Sequence, residues 1–83
     1  MSFYTYILKF ENGRFYTGIT NNLKRRLEEH KTGKSISTKR FLPIVCYTFF
    51  VFESRKESRM LEVKIKNRGA KLYTFDKYWI NVF

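Results

Sequence analysis

The chain has 83 residues, of which 17 are Lys or Arg and seven are Asp or Glu, giving a formal net charge of +10. This length allows one small domain (residues 1–83) with a thin core, and a single cysteine, Cys46, excludes a disulfide framework or a cysteine-based zinc cluster. The charge favours a polyanion, nucleic acid rather than a membrane surface, as the partner. No membrane-length apolar run and no signal-peptide pattern are seen, so we expect a cytoplasmic protein. Cys46 lies in an apolar run and is interpreted as a core residue rather than a reactive thiol.

The first two predicted elements are strands joined by a tight turn. Residues 3–10 and 14–19 are rich in aromatic and β-branched side chains, which favour strands. Between them, Glu11-Asn12-Gly13 is a hairpin signal. The sequence therefore predicts an antiparallel hairpin at the start of the chain.

The length of the hairpin loop decides where two tyrosines point. A two-residue Asn-Gly turn pairs Tyr6 with Ile19 and puts Tyr6 and Tyr16 on opposite faces of the sheet. A three-residue loop, with Gly13 as a left-handed bulge, pairs Tyr6 with Gly18 instead and puts both tyrosines on one face. If the two tyrosines share a site, the second register is required.

A helix is predicted next, capped by Asn21 or Asn22 and running to about Lys31. His30 lies on its inward stripe and Arg26 on the border of that stripe. The two residues are one helical turn apart, so their polar ends can converge on one point.

Residues 32–43 form a basic, hydroxyl-rich loop. Its side chains are suited to phosphate contacts, which position a nucleic acid without reading its sequence. A solvated loop without a binding role is the alternative. The candidates for nucleic-acid binding are Lys34, Lys39 and Arg40, accompanied by Ser35, Ser37 and Thr38.

The second half of the chain predicts one more strand and one more long helix. Residues 44–52 are almost wholly apolar and predict a strand covered on both faces. A Ser54–Glu57 capping box opens a helix that runs to about Arg68 and ends at Gly69. A short helix after Asp76 is expected in the mixed segment 70–83. The predicted fold class is α/β (α+β), a small three-stranded antiparallel sheet of order 2-1-3 flanked by helices on both sides.

At this point the sequence resembles the GIY-YIG endonuclease superfamily, specifically the short single-domain branch related to the UvrC nuclease domain. The resemblance covers about residues 3–74, and the segment from Tyr16 to His30 is its most specific part. The first triplet, Tyr4-Thr5-Tyr6, is degenerate and keeps only its tyrosine. Tyr73-Thr74 stands where many relatives have Tyr-Asn, so a threonine takes the place of that asparagine here.

The resemblance implies a metal-dependent endonuclease that hydrolyses phosphodiester bonds, most naturally in DNA, by recognising backbone or structure. Arg26 would offer a forked cation to phosphate oxygens, and Glu62 would hold one Mg²⁺ or Mn²⁺. Either tyrosine could be the base or position the water, with His30 assisting, and the sequence does not divide these roles. The implied catalytic residues are Tyr6, Tyr16, Arg26, His30 and Glu62.

Each of these residues also has a structural interpretation. The tyrosines could pack a small core, Arg26 could pair with Glu29 or Glu62, His30 could stabilise a helix terminus, and Glu62 could pair with Lys66. Their joint spacing favours the catalytic interpretation.

The main functional alternative is a nucleic-acid-binding module with a degenerate nuclease site. A ribosome- or protein-interaction module would explain the charge but not the spacing. The sequence leaves open whether the substrate is DNA or RNA, its strandedness, and whether the protein is a monomer or a weak dimer.

Overall fold

The computed structural model describes residues 1–74 and 78–82. The described segments form one antiparallel sheet with the strand order β2-β1-β3-β4, together with two α-helices. The predicted order 2-1-3 is confirmed, and a two-residue fourth strand extends it. The elements are β1 (Phe3–Phe10), β2 (Phe15–Thr20), α1 (Leu23–Lys31), β3 (Ile44–Phe52), α2 (Arg55–Arg68) and β4 (Ile80–Asn81), with 3₁₀ turns at Lys39–Phe41 and Ala70–Tyr73.

The β1–β2 hairpin has the three-residue loop. Gly13 adopts φ 87°, in the left-handed region that glycine tolerates best, and the Phe10 N–H donates to the Arg14 carbonyl at 2.9 Å. Tyr6 consequently lies opposite Gly18, and Tyr16 lies opposite Leu8, two pairs further along and therefore on the same face as Tyr6. The register required for a shared tyrosine site is confirmed.

Strand β1 is central, and its alternating residues contact different layers. On one face Tyr6, Leu8 and Phe10 form the core, against which the leucines of α1 pack. On the other face the Thr5 hydroxyl donates to the main-chain carbonyl of Ser58 in α2 at 2.8 Å. The helices therefore lie on opposite sides of the sheet, which explains why both faces of β1 are buried.

Strand β3 is less covered than its apolar sequence suggests. We expected both of its faces to be buried, but Val51 is 55% exposed and several of its neighbours are only half-buried. The reason is that α1 has only nine residues and packs near β1 and β2. The α1-facing side of β3 is left partly open.

Helix termini agree with the sequence signals. Asn22 caps α1, its side-chain oxygen accepting from the Arg25 N–H at 3.1 Å. Ser54 caps α2: its hydroxyl accepts from the Glu57 N–H and donates to the Glu57 carboxylate. The predicted Ser–Glu pair is present, with the carboxylate bonded to the Ser54 hydroxyl and not to the Ser54 N–H as in a full capping box.

The prediction of a short helix near the C-terminus differs from the structure in residues 78–82. Asp76, after which a short helix was predicted, lies outside the described residues. Within 78–82 the structure has the strand β4 instead of a helix, because Tyr47 and Cys46 of β3 pair with this segment. In the part of the chain that is described, neither helix is long and apolar enough to cross a membrane.

Candidate active site

Three rings form the centre of the candidate site. Tyr6 from β1, Tyr16 from β2 and His30 from α1 pack together on the α1 side of the sheet. The ring centroids are 5.3 Å apart for Tyr16 and His30, 5.6 Å for Tyr6 and His30, and 6.4 Å for the two tyrosines. The hairpin register and the inward stripe of α1 together produce this cluster.

A chain of buried hydrogen bonds runs through His30. The Tyr6 hydroxyl lies 2.8 Å from Nε2, and the Thr38 hydroxyl lies 2.7 Å from Nδ1. All three side chains have no exposed surface. Burial, together with the charge of Arg26, lowers the pKa of His30 to about 4, so the imidazole is neutral near pH 7.

Burial also dominates the titration of Tyr6 and raises its pKa to about 12. The Arg26 guanidinium beside it donates a hydrogen bond that lowers this pKa, but burial has the larger effect. Tyr6 is therefore a phenol at neutral pH. The neutral imidazole donates at one ring nitrogen and accepts at the other, and the Tyr6 and Thr38 hydroxyls can serve either role.

Arg26 is held by three different groups. Its guanidinium forms an ion pair with Glu29 at 3.1 Å and donates to the Ser35 hydroxyl at 3.5 Å, besides its contact with Tyr6. The pairing with Glu29, considered from the sequence as a purely structural role, is present. It does not replace the contact with Tyr6, so Arg26 remains part of the ring cluster.

Glu62 approaches the site from α2. Its side chain is 12% exposed and pairs with Lys66 at 3.3 Å and Arg59 at 3.6 Å. Its negative charge raises the pKa of Tyr6. The pairing with Lys66 that the sequence suggested is also present.

The donor set limits the kind of metal site that the described residues can form. Within residues 1–74 and 78–82 no group of three or more His, Cys, Asp or Glu side chains is arranged to hold an ion. Glu62 is a single carboxylate. Such a donor fits a hard divalent ion that keeps most of its water and binds the oxygens of a substrate phosphate, rather than a protein cage.

The basic loop 32–43 is more ordered by side-chain contacts than its composition suggests. We expected its hydroxyl groups to contact phosphate, but for Ser35 and Thr38 this is wrong: both are buried and bonded to Arg26 and His30. By contrast, Lys34, Lys39 and Arg40 are exposed. The inner side of the loop therefore supports the ring cluster, while its cations remain available to a polyanion.

Two further arginines were missed by sequence reasoning. Arg25 and Arg55 line a depression beside Arg26, which we call the arginine depression; Glu29 is the acidic residue on its wall. Helical periodicity puts Arg25 on the outer side of α1, and its position next to Arg26 in the sequence was the available signal. Arg55 had no such signal in the sequence, because only the packing of α2 on the sheet brings it close to Arg25 and Arg26.

A β2-β1-β3 sheet with paired tyrosines on its first hairpin, and with arginine and histidine one turn apart on the next helix, defines a GIY-YIG-type domain, a class of nuclease domains. The chain belongs to this family: the family model described as the GIY-YIG catalytic domain matches residues 2–81.

Its relatives include small proteins of similar length. A UPF0213 protein of Streptococcus agalactiae is 40% identical over 72 residues, which cover 83% of this chain and 82% of the relative. A UPF0213 protein of Bacillus licheniformis is 32% identical over 71 residues, covering 84% and 73%. The solution NMR structure of the UPF0213 protein BH0048 from Bacillus halodurans matches with a TM-score of 0.53 and 28% identity, covering 92% of this chain and 86% of that one.

Thr74, which stands in place of the family asparagine, is 8% exposed. Its hydroxyl donates to the Lys71 carbonyl at 3.3 Å. That hydroxyl is thus engaged in the local turn after α2.

Proposed function

We propose that the protein is a metal-dependent endonuclease that hydrolyses phosphodiester bonds in nucleic acid, with DNA as the substrate to test first. The observation that carries the proposal is the environment of one phenol. Tyr6 is hydrogen-bonded to His30 and Arg26, and the charges of Tyr16 and Glu62 act on its titration. Side chains from β1, β2 and α1 meet around Tyr6, which supports a phosphodiesterase site that Glu62 of α2 would complete.

Burial supports a division of roles between the two tyrosines. Tyr6 has no exposed surface, and its pKa is raised, so it is poorly suited to take a proton from a water molecule. Tyr16 is half-buried and therefore accessible to solvent. We assign the contact with the attacking water to Tyr16, and we assign to Tyr6 and His30 the task of fixing the Tyr16 ring and the Arg26 fork.

Arg26 suits the phosphate. Its planar guanidinium can give two parallel hydrogen bonds to phosphate oxygens and stabilise the charge that grows on them in the transition state. In the free protein Glu29 and Ser35 occupy part of that fork. Substrate binding would exchange these contacts for phosphate oxygens.

Glu62 would hold one Mg²⁺ or Mn²⁺. When bound there, the ion supplies Lewis acidity at the phosphate and the leaving oxygen. In the free protein Lys66 and Arg59 pair with this carboxylate and balance its negative charge.

Glu62→Gln tests the proposal. The change should lower cleavage of labelled DNA in Mg²⁺ or Mn²⁺ by roughly 100-fold or more, while binding stays equal or becomes tighter because a negative charge near the phosphate is lost. Glu11→Gln, which removes an exposed carboxylate in the hairpin loop, is the matched control and should cut at the wild-type rate.

A melting curve should show that Glu62→Gln is folded. If the folded variant cuts like the wild type, the metal assignment is wrong. If the wild type binds nucleic acid but cuts none in either metal, the protein is a binding module with a degenerate site.

A further inference from the structure

A second concave surface lies across α1 from Arg26. It is a groove of about 730 Å³ between α1 and the uncovered face of β3, and we call it the aromatic groove. Arg26 and Glu29 point to one side of α1, whereas Leu23, Leu27 and Lys31 line the groove on the other. The sheet side of the groove is formed by Tyr4, Tyr47, Phe49 and Val51.

The rings on the groove's sheet side are arranged as a platform. Tyr47 and Phe49 are two residues apart in β3, so both point to the α1 side. Their rings are nearly parallel, with centroids 6.4 Å apart and planes inclined by 23°. Tyr4 meets Phe49 edge-on at 6.0 Å. Both rings are half-buried and line the groove, and proteins that bind single strands stack bases on aromatic side chains.

The charge around the groove favours a nucleic acid over an apolar peptide. Lys24 and Lys31 stand on the wall contributed by α1, against one acidic residue, Glu28. The groove also adjoins the arginine depression, because Asn21, just before α1, lines both. A strand passing that end of the helix would meet arginines on one side and aromatic rings on the other.

We propose that the aromatic groove binds unpaired bases of a single-stranded segment whose backbone crosses the start of α1 into the arginine depression. The inference rests on the proposed function for the phosphate site and adds a substrate class to it: nucleic acid with an unpaired segment, either a free single strand or a flap. Bases stacked within a duplex cannot offer their faces to Tyr47 and Phe49, so a duplex engages only the cationic side.

The experiment measures binding in the Glu62→Gln background, so that substrate is not consumed. Fluorescence anisotropy compares a labelled oligothymidine of about 12 nucleotides, long enough for one such site, with a duplex of the same length. Tyr47→Leu and Phe49→Leu remove the rings but keep apolar side chains. Tyr78→Leu, at a 93% exposed aromatic residue outside the groove, is the matched control.

Each groove variant should lose about 5- to 150-fold in single-strand affinity, corresponding to one stacked base, while duplex affinity is unchanged. Equal losses for both substrates, or a loss no larger than that of Tyr78→Leu, would overturn the proposal. If Tyr47→Leu or Phe49→Leu fails to give a cooperative melting curve, Val51→Glu at the exposed floor replaces it and should repel the strand.

Sedimentation of the wild type and of Val51→Glu tests whether a second copy of the chain occupies the groove instead. A dimer that Val51→Glu dissociates, with single-strand affinity unchanged, would assign the groove to a second copy of the chain and reject the base site. The two proposals can fail separately. If the wild type cuts nothing, the proposed nuclease function fails, but the binding assay can still show a preference for single strands. Cleavage with no effect of the groove variants rejects the groove alone.

Discussion

Thr38 and His30 are joined by a buried hydrogen bond of 2.7 Å, although Thr38 belongs to a loop and His30 to α1. Neither side chain has exposed surface. Since the other ring nitrogen of His30 contacts Tyr6, the threonine hydroxyl helps to fix the orientation of the imidazole. A loop rich in surface cations is thereby fastened to the centre of the candidate site.

Thr38→Val should therefore impair cleavage more than it impairs folding. Valine keeps the shape but leaves Nδ1 without its partner, which costs about 1–3 kcal/mol in unfolding free energy and loosens the orientation of the ring. Thr38→Ser restores the hydroxyl and should rescue the rate. The pH–rate profile distinguishes positioning from mere destabilisation: equal profiles for the valine variant and the wild type, with rates falling only as folded protein is lost, would reject the positioning role.

The hairpin register was predictable because only one of the two possible loops puts both tyrosines on the same face of the sheet. Gly13 permits the left-handed bulge, and a shared site for Tyr6 and Tyr16 then demands the three-residue loop. The positions of Arg26 and His30 followed from helical periodicity alone.

The rest depended on tertiary packing that no local pattern encodes. A buried threonine and a solvated threonine look alike in a polar loop, so Thr38 was assigned to phosphate binding. Arg55 meets Arg26 only because α2 packs beside the same edge of the sheet. The pairing that defines β4 involves two residues, too few to produce an alternating pattern.

Acid should destabilise the protein through His30. Its pKa is about 4 in the folded state and 6.5 in the reference state, so between these values the unfolded chain binds a proton that the folded protein does not. The unfolding free energy should thus fall as pH decreases from 6.5 to 4, by about 3 kcal/mol from this group. Below pH 4 this contribution should be constant.

Urea titrations of wild type and His30→Gln at several pH values measure this contribution. Both proteins share the same carboxylates, so the difference between their pH dependences isolates the histidine. If the unfolding free energies of the two proteins change equally with pH between 4 and 6.5, the pKa of His30 is not lowered in the folded protein.

Gly18→Ala should displace the Tyr6 ring. An added methyl carbon would lie 2.5 Å from the Tyr6 hydroxyl oxygen and 2.7 Å from Cζ, closer than real contacts allow. We expect a loss of about 1–3 kcal/mol in stability and a weakened hydrogen bond to His30. The double variant Gly18→Ala, Tyr6→Leu should lose less stability than the sum of the two single variants. Strictly additive losses would show that the Tyr6 ring does not contact the added methyl group.

Reversing the charges of Lys39 and Arg40 should weaken binding to all nucleic acids. Both residues are exposed, although the Arg40 guanidinium also lies over the Phe41 ring at 4.9 Å. Each lost phosphate contact should reduce the slope of log affinity against log salt by roughly 1. Lys64→Glu with Lys71→Glu makes the same change in net charge at other exposed positions; an equal effect of both pairs would assign the result to net charge alone.

The two helices that carry Arg26 and Glu62 are attached to adjacent residues of one strand. Thr5 bonds to α2 on one side of the sheet, and Tyr6 bonds to His30 of α1 on the other. Because side chains alternate along β1, inserting or deleting a single codon inside this strand would exchange the two faces and separate the arginine from the carboxylate. Length variation during evolution should therefore be confined to turns such as Glu11–Gly13, while the stretch from Phe3 to Phe10 keeps a constant length even where its residues change.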